Sequence, residues 1–459
     1  MAKLTIKKQS YIKGAAILSA GGFVSKILGA LYRIPLTNIL GGEGIGVYQM
    51  VFPLYCILLT VAASGIPAGI ARLVSSGCGE GAEKSAFRLY GAIGLIGSIL
   101  LYLAAKPLSL LQGETAVELC CKMLSPAVFF VSMMSVVRGY FQGRGNMLPT
   151  AATEISEQLI KVIFGCVLAC LNRNNLASAV ASTLAAVTIS EALSAVLAFI
   201  FYRKEDAVKP LYRQRQASYK SILAYTIPLT FTAMALPLSQ LAESILAVNL
   251  LRRAGQNATA LYGIFSGCAV TIVNLPVSVT YGLAAASVPH ISPEAARGKM
   301  SSAKLKAVKC LFLTLAVAAP AAVGLYIFAP LAAKIIFRSL DKSQTDLLIR
   351  LVRVMAVNAV TLSLAQTSSA CLTSLGSPVK AAISQWFTAI LRVALAAMLI
   401  KFTSLSITSL AIAADCSYLV AVLLNIWYII RAKQKAGGVY ENNVGRSRIK
   451  RRRSERQGD

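Results

Sequence analysis

Charge is scarce in this chain. Of 459 residues only 14% are Asp, Glu, Lys or Arg, against about 25% in soluble domains, which excludes two soluble domains of ordinary size. Acid is scarcer than base: 18 Asp and Glu stand against 46 Lys and Arg, a net charge of +28. The lone histidine, His290, cannot build a zinc site, and no H-E-x-x-H occurs. Ten cysteines carry no C-x-x-C spacing and one adjacent pair, Cys120-Cys121, so they read as small apolar packing residues, not a disulfide or metal framework. No G-x-x-x-x-G-K-[ST] is present, which excludes a nucleotide-driven pump within this chain. Paired carboxylates suited to a glycosyltransferase are missing too, with Asp415 alone in its apolar stretch. No cofactor is expected.

What the chain has is apolar length: 56% hydrophobic residues and a mean hydropathy of +0.66. A bilayer core needs roughly 20 apolar residues per helix, and about twelve such stretches follow one another. They run over about 14–39, 47–71, 89–111, 119–140, 150–171 and 176–202, then about 221–250, 261–289, 308–333, 347–374, 379–400 and 404–430. Continuous runs of this length predict helices; barrel strands would be short and alternating. The N-terminal lysines precede a stretch that contains Lys26 and Arg33 and lacks a small-residue cleavage site, so it reads as a retained span.

Lys and Arg punctuate these runs unevenly. With the N-terminus inside, the inside segments 203–220 and 291–309 and the ten cations after Ile430 hold most of the positive charge. Outside connections such as Gln112–Glu118 and Asn172–Asn175 are short and poor in charge, although Lys334, Arg338, Lys342 and Arg350 flank one of them. The positive-inside rule then places both termini in the cytoplasm. The basic tail reads as a polybasic segment against anionic lipid, and no nucleic-acid partner is expected.

The chain looks internally duplicated. At an offset of 231, Ser132 meets Ser363, Gly145 meets Gly376, Ala151 meets Ala382 and Lys161 meets Arg392; at 214, Tyr48 meets Tyr262. Six spans per half give both halves one orientation, a parallel repeat of the kind transporters use to enclose a cavity. The expected fold is therefore an all-α integral membrane protein of about twelve transmembrane helices in two parallel six-helix lobes. Residues 1–202 would form the first lobe, 203–220 a cytoplasmic linker, 221–430 the second lobe and 431–459 the basic tail.

Ionisable groups inside spans cost about 2.5–3.5 kcal/mol on insertion scales and mark cavities or partners. Lys26 and Arg33, seven residues apart, share a stripe with Gly22 and Gly29. Glu157 and Lys161 form an i,i+4 pair in the favourable order, near Glu154. Glu243 follows Pro228 and Pro237, prolines that interrupt a helix and free backbone groups. Gln385 and Arg392 also fall on one face. The candidate cavity residues are Lys26, Arg33, Glu157, Lys161, Glu243, Gln385 and Arg392; for the Glu157–Lys161 pair, a purely structural role weighs equally. The run Gly41-Gly-Glu-Gly-Ile-Gly46 lacks dinucleotide-binding spacing and reads as a flexible turn. His290 reads as an interfacial polar residue.

Several motifs together carry a family resemblance. Ser25-Lys-Ile-Leu-Gly-Ala-Leu-Tyr-Arg33, Gly42-Glu-Gly-Ile-Gly-Val-Tyr48, Arg138-Gly-Tyr-Phe-Gln-Gly143, Met147-Leu-Pro-Thr-Ala151 and Tyr262-Gly-Ile-Phe-Ser-Gly267 resemble the stage V sporulation protein B branch of the polysaccharide and lipid-linked oligosaccharide exporter superfamily. That superfamily, abbreviated MOP, also holds lipid II flippases and multidrug MATE exporters. The resemblance implies a V-shaped two-lobe fold, a cationic central cavity and alternating access. The implied cargo is an undecaprenyl-pyrophosphate-linked saccharide for cell-wall, polysaccharide or spore-cortex synthesis, with membrane lipids and a coupling ion (H+ or Na+) as further partners. Two departures stand out: flippases of this branch commonly carry two further C-terminal spans, and Tyr32 stands where the lipid II flippase motif has Arg.

Three functions compete. A flippase of the bacterial cytoplasmic membrane fits cations that line a cavity and meet a pyrophosphate. A MATE-type drug or cation antiporter would favour acids in the first lobe, where the first span offers Lys26 and Arg33. An integral-membrane glycosyltransferase or polymerase would need catalytic acids and a sizeable outer loop. The leading expectation is a flippase, not an enzyme.

Overall fold

Long apolar stretches close their backbone hydrogen bonds internally because lipid offers no partner, and among the described residues the chain is helical with no strand. The computed structural model describes residues 11–60, 66–75, 79–206, 223, 227 and 230–432. The first half contains α1 (Tyr11–Thr60), α2 (Ile66–Ser75), α3 (Gly79–Gln112), α4 (Ala116–Leu124), α5 (Ala127–Gly143), α6 (Leu148–Leu171) and α7 (Leu176–Asp206). The second contains α8 (Ala235–Arg253), α9 (Ala258–Tyr262), a π-helical turn (Gly263–Ala269), α10 (Val270–Ala296), α11 (Met300–Ile336), α12 (Lys342–Val354), α13 (Ala356–Ser374), α14 (Pro378–Phe402) and α15 (Thr408–Ile430). Most of the inter-lobe segment 203–220, Pro228 and the basic tail lie outside the described residues.

Among the described residues nine helices are long and apolar enough to cross a membrane, and the bent pair α12 and α13, meeting at 45°, makes a tenth. The remaining two expected segments are also helical. One is α6, whose Glu154, Glu157 and Lys161 dilute its apolar character. The other arises because α1 runs 50 residues through non-helical Gly41 (φ 69°, ψ −176°); at 1.5 Å per residue this is over twice the bilayer core. Pro237 acts as expected: the helical backbone breaks at Met234, just before α8.

The outer faces are apolar. Leu103 on α3, Phe312 on α11 and Ile390 on α14 are 67%, 72% and 65% exposed, and only 11% of the apolar window of α11 is buried. In water such surfaces would aggregate; facing lipid tails they cost nothing.

The helices of each half pack chiefly among themselves, α6 on α1 and α7, α5 on α2, α3 and α7, and α10 and α15 on α13. Two glycines aligned at the offset of 231 close their helices alike, as Gly255 and Gly298 also do. Gly145 and Gly376 have φ of 77° and 79°, and both turns pair the glycine N–H three residues back and the next N–H five residues back. These are Schellman closures, which a left-handed glycine after a helix makes possible.

The halves meet mainly through α1, which packs on α8, α9, the π-helical turn and α10. Their contacts gather at one end. Asn38 donates to the Ile336 carbonyl at 2.8 Å and accepts from the Arg338 N–H at 2.8 Å. Asn249 donates to the Leu111 carbonyl at 2.7 Å, and Thr259 to Glu114 at 3.1 Å. Here the Gly41–Gly46 run departs from expectation. It is not a flexible turn: all but Gly41 is helical, and most of it is buried. Its glycines allow close approach, since a Cβ on Gly46 would lie 2.0 Å from the Thr259 carbonyl oxygen and one on Gly263 2.2 Å from that of Gly42.

Candidate functional site

Two connected cavities lie between the halves, on the side of this contact nearer the start of α1. The larger, about 370 Å³, is lined by Gly29, Arg33, Phe52 and Tyr55 of α1, Lys161 of α6, Asn274 of α10 and Gln366 of α13, among others. The smaller, about 180 Å³, lies deeper and shares Arg33, Phe52, Asn274 and Gln366 with the first, adding Glu243, Tyr262, Arg392 and Tyr418. Arg33 therefore sits at the junction.

Of the cations that line these two cavities, Arg33, Lys161 and Arg392, Arg33 has the least compensation. Its guanidinium lies 5.0 Å from the ring centroid of Phe52, and no carboxylate among the described residues forms a salt bridge with it. The side chain of Lys26 lies outside the described residues. The glycines of the expected stripe serve a neighbouring helix: added Cβ atoms on Gly22 and Gly29 would meet Glu154 and Gln158 of α6, at 4.0 and 3.4 Å.

In the first half, Glu157 and Lys161 pair as their spacing predicts, with Nζ 3.3 Å from Oε1. The other carboxylate oxygen accepts from Arg138 of α5 at 3.2 Å, whose Nε donates to Thr153 at 3.0 Å. Lys161 also donates to the Tyr55 hydroxyl at 3.2 Å, and Tyr55 in turn donates to Glu191 of α7 at 2.5 Å. All of these groups are buried. Only Tyr55 and Lys161 of this network reach the cavity wall; Glu157 stands behind it. Sequence reasoning missed Tyr55, Arg138 and Glu191 as members. For Glu191 a signal existed, an isolated acid in an apolar span; Tyr55 and Arg138 join through tertiary contacts alone.

In the second half, Arg392 of α14 binds Glu243 of α8 at 2.7 Å and donates to the Tyr418 hydroxyl of α15 at 2.9 Å. Both charged groups line the smaller cavity. Gln385 does not. Although it shares a face with Arg392, it lies seven residues earlier, about 10 Å along the axis, where it is exposed and donates to Ser369 at 3.3 Å. The π-helical turn shapes the same wall: Gln49 donates to the Ser266 carbonyl at 2.9 Å. Such turns leave carbonyls without their usual helical partners.

The arrangement can do electrostatic work and little bond chemistry. Glu157 and Glu243 are engaged by cations and Glu191 by the Tyr55 hydroxyl, no group of three or more metal-ligating side chains occurs among the described residues, and the charge facing the cavity without a carboxylate partner among them is the cation Arg33.

The chain is similar to known proteins over most of its length. A family model described as polysaccharide biosynthesis protein matches residues 11–294. Stage V sporulation protein B of Bacillus subtilis (strain 168) is 26% identical over 352 residues, covering 72% of this chain and 68% of the relative. Lipid II flippase MurJ of the same organism is 26% identical over 346 residues, covering 68% and 63%. The chain thus spans about two thirds of the length of these relatives. Among solved structures, an inward-facing multidrug resistance MATE family transporter of the MOP superfamily superposes with a TM-score of 0.76 at 17% identity, covering 92% of this chain and all of that one. At that identity the likeness establishes the fold.

Proposed function

This chain belongs to the polysaccharide biosynthesis protein family, and from that premise we propose that it is a flippase. It moves an undecaprenyl-pyrophosphate-linked saccharide from the inner to the outer leaflet by alternating access. The observation that carries the reading is Arg33, a cation without a carboxylate partner among the described residues, at the junction of two cavities between the halves. A pyrophosphate cannot cross hydrocarbon bare. Arg33 can fork to its oxygens while Lys161, on the adjacent helix of the same half, supplies a point charge.

The topology follows from charge. With both termini in the cytoplasm of a bacterial cell, the end where the halves touch faces outward and the cavity faces inward. The two halves act as lobes, joined by the 203–220 linker and followed by the basic tail on the inner leaflet. Moving a charged head needs a driving force, for which an H+ or Na+ gradient is the candidate. A cation antiporter fits less well, because Glu243, the acid that lines the cavity, is already held by Arg392.

Reconstituted vesicles loaded with a fluorescent polyprenyl-pyrophosphate saccharide, quenched from one side, test the reading. Arg33→Gln is expected to slow flipping about tenfold or more, the scale of one charge-assisted hydrogen bond, at normal abundance, and Arg33→Lys to restore part of it. Undiminished flipping in well-folded Arg33→Gln protein would overturn it.

A further inference from the structure

The deeper cavity has a hydrogen-bonding character of its own. Three of its lining groups hold buried polar atoms without a partner among the described residues: Glu243 Oε1, Gln366 Oε1 and Arg392 Nε. Glu243 and Arg392 are both more than nine-tenths buried, and the rest of each is spent, Glu243 Oε2 on Arg392 and the Arg392 Nη atoms on Glu243 and Tyr418. Buried polar atoms normally find partners, so this wall is built for a ligand that supplies at least two donors and one acceptor.

That valence pattern rejects phosphate, which offers acceptors to a carboxylate oxygen. It suits neighbouring hydroxyls, each both donor and acceptor. Aromatic rings complete the wall, with Phe52 and Tyr262 presenting apolar surface to a ring's C–H faces. Size narrows the choice. A volume of about 180 Å³ is below the roughly 300 Å³ at which pockets begin to enclose whole drug-sized ligands, and equals about six waters at ~30 Å³ each. One hydroxylated ring fits.

Resting on the flippase reading, we propose that this deeper cavity is the subsite for the saccharide ring nearest the pyrophosphate, and that it selects an uncharged ring. Arg33 touches both cavities, so a pyrophosphate held there directs the attached sugar inward while the lipid leaves through the larger cavity. The carboxylate oxygen of Glu243 turns away a ring carrying its own carboxylate.

Three probes test this by native mass spectrometry of the full chain in detergent: undecaprenyl pyrophosphate, the same lipid bearing one N-acetylglucosamine, and the same lipid bearing one galacturonic acid. The wild-type protein is expected to bind the N-acetylglucosamine lipid about tenfold more tightly than bare pyrophosphate, the scale of one or two hydrogen bonds, and the galacturonic lipid no better than the bare one. Gln240→Leu, which removes a half-exposed amide that lines this cavity and not the larger one, should erase most of that preference and leave bare-pyrophosphate affinity intact. Arg33→Gln should weaken all three alike. Bare pyrophosphate bound as tightly as the N-acetylglucosamine lipid overturns this subsite while leaving the flippase reading standing. So does a preference for the uronic acid. Failure of the wild-type protein to bind any of the three overturns both.

Discussion

In the first half, the buried cation and its acid share one helix, Glu157 and Lys161 four residues apart on α6; in the second, Arg392 and Glu243 come from α14 and α8. The offsets that align the halves make the difference sharper. Lys161 falls on Arg392, but Glu157 falls on Thr388, and Glu243 falls on Gly29. The cation keeps its place and the acid moves to another helix. Both arrangements add a tyrosine, Tyr55 under Lys161 and Tyr418 under Arg392, with the cations 5.0 and 5.8 Å from the ring centroids. A repeated fold thus holds the charge that faces the cavity and lets its counter-charge come from wherever the packing permits. The halves also differ in redundancy, since Glu157 is held by two cations and Glu243 by one.

Redundancy makes the largest expected effect fall on Glu157. Glu157→Gln strands both Arg138 and Lys161, and losing the partner of a buried charge costs about 3–5 kcal/mol. Lys161→Met leaves Glu157 with Arg138 and should cost about 1–3 kcal/mol. Melting of the purified protein in detergent reads both, and equal losses would dissolve the proposed asymmetry. Next comes the cross-helix pair. Arg392→Met alone should destabilise by about 3 kcal/mol, while adding Glu243→Gln should recover most of the loss, because replacing both members of a buried pair is often close to neutral. If the double variant falls as far as the single losses combined, Glu243 and Arg392 are not a unit.

The smallest effect belongs to a pair outside this comparison. Glu294 accepts from Lys306 at 2.9 Å near an exposed helix end, and that hydrogen bond holds its carboxyl below the usual carboxylate range. A depressed acid contributes stability above its unfolded pKa and loses it as pH falls through the folded value. Exposure and salt weaken the term. Glu294→Gln should therefore lower the melting temperature only slightly at neutral pH, and the two proteins should converge in acid, where the wild type has lost the contribution; a large drop at neutral pH would show that exposed and buried pairs behave alike here.

Much of this was legible before any coordinates, for identifiable reasons. Apolar length alone marks the spans, because lipid forces every backbone group to pair within its segment. Glu157 and Lys161 could be matched because helix geometry is local. Arg138, Tyr55 and Glu191 could not be joined to them, since their meeting depends on how α5, α1 and α7 pack. Gln385 shows the converse error: a shared helical face does not fix a shared depth. The Gly41–Gly46 run misled because glycine signals both a pliable turn and a place where two backbones touch. Only the neighbouring chain segment distinguishes these.

That last contact bears on how readily the molecule changes state. Where Gly46 meets Thr259 and Gly263 meets Gly42, backbone lies against backbone, with the Ile45 side chain seated on Gly267 beside them. The hydrogen bonds around them, such as those of Asn38, exchange for water at a net cost of about 1 kcal/mol each. The closed end is therefore held chiefly by apolar packing across the halves, Ile45 and Tyr48 with Tyr262 and Phe265. A difference in cargo affinity between the two states redistributes the population, and it must offset the loss of that packing to set the direction in which the gate swings.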